Sequence, residues 1–89
     1  MTREATLEIV RSQILAVLPA IPKERISLDA TFRELGADSV DRSDIYTGAL
    51  DALGLELPLV KLAEAQSVGA LVDLLYESYT HFRQSTRPA

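Results

Sequence analysis

The sequence predicts an all-α fold, a small four-helix bundle of three main helices plus a short third one, with a long first loop. Three observations predict it. Apolar residues recur at three- and four-residue steps in three segments, and no stretch shows the period-two alternation of a strand. There is also no cysteine, so disulfides and thiolate metal sites are excluded and stability must come from helix packing.

The first helix begins near Thr2, where a hydroxyl can cap it, and carries the stripe Leu7, Val10, Ile14, Val17 and Leu18; Pro19 and Pro22 end it. From Ile21 to Asp38 no period is sustained. A loop of that length is uncommon unless it is functional or pinned by its own side chains, and Ile26, Leu28, Phe32 and Leu35 are the expected anchors. The second helix starts at Asp38, as cap, and runs to Leu53 before Gly54 stops it, with Ile45, Ala49 and Leu53 facing inward alongside Tyr46 and Leu50. Pro58 opens a short helical segment, Leu59 to Glu64. Ser67 caps the last helix, whose inner stripe is Val68, Leu71, Val72, Leu75 and Tyr79, and order is expected to fade from His81 to Ala89. The domain organisation is one domain over residues 1–82 and a flexible tail over 83–89.

Chain size limits what such a bundle can do. With 89 residues, 47% of them hydrophobic, the core is modest and leaves no room for a deep substrate cavity together with a catalytic apparatus. The net charge of -4 and the scattered basic residues argue against a nucleic-acid surface. Glu4 and Glu8 replace the basic start of a signal segment, and no apolar run approaches the ~20 residues that span a bilayer, so a cytoplasmic protein that does not engage membranes is expected.

The stretch that carries chemistry is Leu35-Gly36-Ala37-Asp38-Ser39-Val40-Asp41, which sets a serine in the first turn of a helix directly after a glycine-containing approach. There its side chain projects into solvent. Asp38 as cap and Asp41 three residues on form a capping box with Asp in place of Glu, which by itself is a sufficient structural reason for both residues. A hydrolytic serine needs an adjacent base held by a third group, and the single histidine, His81, falls at the far end of the last helix. There is no Gly-x-Ser-x-Gly elbow. Asp38, Asp41 and Asp44 lack the alternate-residue spacing and the sixth-position glycine of a calcium loop, and acids at three-residue steps read as a solvated face.

Gly36-Ala37-Asp38-Ser39-Val40 resembles the attachment signature of the phosphopantetheine-dependent acyl carrier proteins, Gly-x-Asp-Ser followed by an apolar residue. The resemblance extends through Phe32-Arg33-Glu34-Leu35, Gly54-Leu55-Glu56-Leu57-Pro58 and Ser67-Val68-Gly69-Ala70-Leu71, and so covers residues 5–79. It implies an acyl-carrier-like bundle with no activity of its own, a covalent 4'-phosphopantetheine on Ser39 and acyl groups held as thioesters on its thiol. The missing cysteine then ceases to be an objection, because the sulfur is imported. The implied partners are a phosphopantetheinyl transferase and acyltransferase, ketosynthase or hydroxymethylglutaryl synthase-like enzymes, served by a monomeric carrier. Partner contacts map to Asp38, Val40, Asp41, Arg42, Asp44, Thr47 and Asp51, on a stretch where five acids including Glu56 face only Arg42. Arg42, Ser43 and Leu50 depart from fatty-acid carriers. Asp38-Ser39-Val40-Asp41-Arg42 with Asp44 looks like discrete carriers of polyketide (antibiotic) assembly lines, especially those donating acetyl or a similar short acyl group for β-branching. Fatty-acid and aminoacyl carriers are the alternatives, and a helical interaction module without an arm is the alternative of a different class. Gly48, inside a helix, points to close helix approach, to a groove for cargo, or to tolerated sequence drift.

Overall fold

A computed structural model describes residues 2–85, with side chains to residue 82. Its helices are α1 (Arg3–Val17), α2 (Ser39–Leu53), α3 (Leu59–Leu62) and α4 (Val68–Ser85). No strand occurs among the described residues; Thr31 and Ser67 form a single antiparallel bridge. α1 packs against both α2 and α4, and α3 packs against α2. No helix of the described residues is long and apolar enough to cross a membrane.

The caps are the expected ones. Thr2 Oγ1 accepts from the Ala5 N–H at 3.0 Å, and Ser67 Oγ accepts from the Ala70 N–H at 3.1 Å. Gly54, at φ 67°, ends α2 in the left-handed conformation, where its N–H and that of Leu55 return to the last-turn carbonyls. The core draws Val10 and Ile14 from α1, Ile45, Tyr46, Ala49, Leu50 and Leu53 from α2, Leu62 from α3, and Val68, Leu71, Val72 and Leu75 from α4, all buried. These are the inner positions that helical spacing selects; Leu7, Val17, Leu18 and Tyr79 are half-buried at its edge. Leu50, an apolar departure from the carrier pattern, is one of the buried residues, so packing explains it. Thr6, also fully buried, satisfies its hydroxyl by donating to the Thr2 carbonyl at 2.9 Å.

The long loop is pinned, although not by all four expected anchors. Ile26, Phe32 and Leu35 are buried, whereas Leu28 remains 39% exposed and contributes its carbonyl, which accepts from the Gly69 N–H at 2.9 Å. Backbone bonds from Val68 N–H to Ala30 and from Phe32 N–H to Gln66 tie the same stretch to the start of α4. The loop also holds a 3₁₀ turn, Lys23–Arg25, too short to show a period. Thr31 and Glu34 close a further turn: the Glu34 carboxylate accepts from the Thr31 N–H at 3.0 Å and the Thr31 hydroxyl accepts from the Glu34 N–H at 3.0 Å.

Two boundaries differ from expectation. α3 stops at Leu62 rather than Glu64, because the chain turns there to bury Ala65. α4 is helical to Ser85, so the helix reaches into the stretch expected as a tail over 83–89; residues 86–89 lie outside the described residues.

Candidate functional site

Gly36 swings the loop toward α2 at φ 83°, a conformation open to glycine without Cβ strain. Ala37 is buried, and its N–H donates to the Phe32 carbonyl at 3.0 Å, which anchors the chain immediately before the helix cap. Asp38 then accepts from the Asp41 N–H at 2.8 Å, while the Asp41 carboxylate accepts from the Asp38 N–H at 3.2 Å. The capping box is therefore complete, and Ser39 opens α2 with an exposed side chain that makes no hydrogen bond among the described residues.

Helical geometry sorts the other residues singled out by sequence onto different faces. Val40, Asp44, Thr47 and Asp51 recur at steps of four, three and four, so they form one outer line along α2, and all four are exposed. Val40 is 69% exposed. Asp38 and Asp41 belong to the cap, at the head of that line. Arg42 is not on it: half-buried, it faces α3 together with Ser39, Ser43 and Tyr46, and the four line a groove of about 390 Å³ whose other wall is Leu59, Val60 and Ala63. No α2 acid forms an ion pair among the described residues, which leaves the outer line's charge open to a partner.

Tyr46 was expected in the core, and it is there, 4% exposed with its ring edge-on to Phe32 at 5.9 Å. Its hydroxyl, however, is buried without a hydrogen-bond partner. Burial pushes the phenol's pKa up, and the neighbouring Arg42 guanidinium pulls it partly back. A buried, unpaired donor costs about 1–3 kcal/mol, so a fold that keeps one at a groove beside Ser39 calls for an explanation. Sequence reasoning missed this hydroxyl and the exposed pair Leu59 and Val60; the available signal was a tyrosine, rather than a phenylalanine, at an inner helix position.

Gly48 lies against α1, where a Cβ would meet the end of the Gln13 side chain, and on the side away from the groove, so it does not make room for cargo there. The larger concavity, about 1000 Å³, lies between Gly54–Leu57 and the end of α4 and includes His81. With 15 residues in α2, that end is roughly 20 Å from Ser39 at 1.5 Å per residue. The single imidazole thus has no place beside the serine, and an activated nucleophile is not assembled.

What remains is an unactivated hydroxyl held outward on a rigid helix start. The family model described as the phosphopantetheine attachment site matches residues 8–75. This chain belongs to that family. The carrier is also 35% identical, over 77 residues, to the polyketide biosynthesis acyl-carrier-protein AcpK of Bacillus subtilis (strain 168), an alignment covering 86% of this chain and 94% of that protein. As a member of the family it is a carrier and not a catalyst, and its cofactor is a covalently held 4'-phosphopantetheine. Carriers of this kind work with a phosphopantetheinyl transferase and with synthase enzymes. The residues at the head of α2 suit such a group. The Ser39 hydroxyl is exposed, Arg42 stands one turn away with no ion-pair partner among the described residues, and Leu59 and Val60 offer apolar surface to aliphatic segments. The N-terminal N–H groups and dipole of α2 also favour a phosphate, although the Asp38 and Asp41 carboxylates oppose it.

Proposed function

We propose that this chain is an acyl carrier of polyketide biosynthesis and that Ser39 is the residue bearing its arm. The observation that carries the assignment is the Ser39 hydroxyl, exposed and without a hydrogen bond among the described residues at the first turn of α2, behind an intact Asp38–Asp41 box. In the loading step the Ser39 oxygen attacks the phosphorus of coenzyme A that bears the pantetheine. A phosphodiester forms, the pyrophosphate bond breaks, adenosine 3',5'-bisphosphate leaves, and a base of the transferase takes the serine proton. Intact-mass spectrometry after treatment with coenzyme A and a broad-specificity transferase is expected to show one added phosphopantetheine, and none in Ser39→Ala. A gain that survives the substitution would place the arm elsewhere.

The polyketide context is supported by the likeness to the polyketide carrier AcpK and by Arg42 and Ser43, which set this chain apart from the fatty-acid pattern. Within it, the role is donation of acetyl or a similar short acyl group to a hydroxymethylglutaryl synthase-like enzyme for β-branching. The outer line Val40, Asp44, Thr47 and Asp51, headed by Asp38 and Asp41, docks partners, and Arg42 tunes which of them are accepted. Acetyl transfer by a β-branching synthase is expected to be faster from this carrier than from an ordinary polyketide carrier and slower from Arg42→Ala; equal rates from all three remove the subtype. Failure of the wild type to load, together with binding of the same partners with equal strength by Ser39→Ala, would favour an interaction module without an arm.

A further inference from the structure

The concavity of about 1000 Å³ opens at the end of the bundle away from Ser39, between the stretch 54–61 and the last turns of α4. Its floor is apolar: Leu55 is buried, and Leu57 and Leu74 are half-buried. Phe82 stands at its edge, 46% exposed, the only exposed phenylalanine or tyrosine among the described residues. Each wall carries one acid and one basic side chain. Glu56 and Lys61 stand on the first wall; Glu77 and His81 stand on the second, four residues apart and so on one face of α4. All four are exposed, and none forms an ion pair among the described residues. An apolar hollow with an aromatic ring at its rim, this far from the serine, marks a contact surface separate from the loading site.

We propose that this concavity is the contact surface of a homodimer, in which a second copy of the chain seats its Phe82 in the hollow and receives this chain's Phe82 in return. A two-fold interface presses one patch against itself, so the patch must be self-complementary. The charges here meet that condition. Turning the α4 wall of one copy onto the 54–61 wall of the other sets Lys61 against Glu77 of the second copy and Glu56 against its His81, and the symmetry repeats both pairs. A basic partner of the kind suited to the outer line of α2 finds no such match, because Lys61 and His81 stand among the acids. Ser39, Val40 and Asp44 stay outside the contact, so each copy keeps the head of α2 free. One hollow of this size is far from a permanent interface, so the dimer is weak and forms at high concentration; the monomer implied by the carrier resemblance is its dilute form. The proposal does not depend on the Ser39 assignment.

Sedimentation equilibrium of the full chain from about 10 μM to about 1 mM tests it. The wild type is expected to pass from monomer toward dimer mass over that range. Lys61→Glu sets two acids against each other across the interface and Glu77→Lys sets two bases, each twice over by symmetry, so either variant alone is expected to dimerise about tenfold more weakly or worse. An equimolar mixture of the two is expected to regain the dimer, because both contacts then join opposite charges. Phe82→Ala is expected to weaken association about tenfold as well. Circular dichroism is expected to be the same for all, since the three residues are exposed. A wild type that stays monomeric at about 1 mM overturns the proposal. So do single variants that dimerise as well as the wild type, or a mixture that associates no better than its components. None of these outcomes changes the mass gain expected at Ser39, so the two readings fail separately.

Discussion

Gly69 and Gly48 look alike in sequence, each a glycine in a helix, yet their surroundings give them opposite consequences. A Cβ on Gly69 would stand 2.8 Å from the Leu28 carbonyl oxygen, a backbone atom that also accepts the Gly69 N–H. Gly69→Ala must therefore push the loop off the start of α4, and a loss of about 1–3 kcal/mol is expected in urea unfolding. At Gly48 the obstacle is the end of the Gln13 side chain, which can rotate away, so Gly48→Ala is expected to be neutral or to gain up to about 1 kcal/mol from helix propensity. At Glu34 the deciding feature is charge. Hydrogen bonds from the Thr31 backbone and then its hydroxyl lower the carboxyl's pKa in the fold. A group depressed in the folded state stabilises above its unfolded value and loses that contribution as pH falls, so this turn weakens from the ordinary glutamate range of about 4.3 downward. Acid unfolding of Glu34→Gln is expected to lack that component of the pH dependence.

At the scale of elements, the start of α2 matters most because it fixes where Ser39 stands. Asp38 supplies one half of the capping box through its side chain and receives the other through its N–H, and both acids are local to the helix end. Asp38→Ala is expected to cost about 1 kcal/mol, within a range of 0.5–2, read as a fall in thermal midpoint. The same variant is expected to slow loading by the transferase, since the first turn then frays around the serine. Restored loading in Asp38→Asn, which keeps a capping oxygen, would separate loss of the cap from loss of the charge. The other elements followed their sequence signals to differing degrees. Helix existence, caps and inner stripes were legible because apolar spacing and capping chemistry act within a few residues. The end of α3 and the exposure of Leu28 were not, because each depends on where the chain packs next: Ala65 turns inward, and Leu28 meets Gly69 through its carbonyl instead of its side chain.

Across the whole molecule the net charge is -4, and the acids at the head and along the outer line of α2, Asp38, Asp41, Asp44 and Asp51, have no ion-pair partners among the described residues. Exposed pairs are individually worth about 0–1 kcal/mol, so such a line favours fast, salt-screened encounter over tight binding, which suits a shuttle. Replacing Asp44 and Asp51 by Lys is expected to slow association with the transferase about tenfold at low salt and to flatten its ionic-strength dependence. Circular dichroism is expected to stay unchanged, since both residues are exposed; an unaltered salt slope would remove this face from docking. The sequence alone determined the helical class, the caps, the core stripes, the exposed serine and the acidity of α2, because those depend on residues within one or two turns of each other. Only the tertiary structure decided that Arg42 and Ser43 face a groove instead of the outer line of α2, that α3 supplies its apolar wall, and that the Tyr46 hydroxyl is left without a partner among the described residues beside it. Those outcomes require α3 to cross α2 at a particular height, a relation between segments separated by the turn at Gly54 that no local pattern encodes.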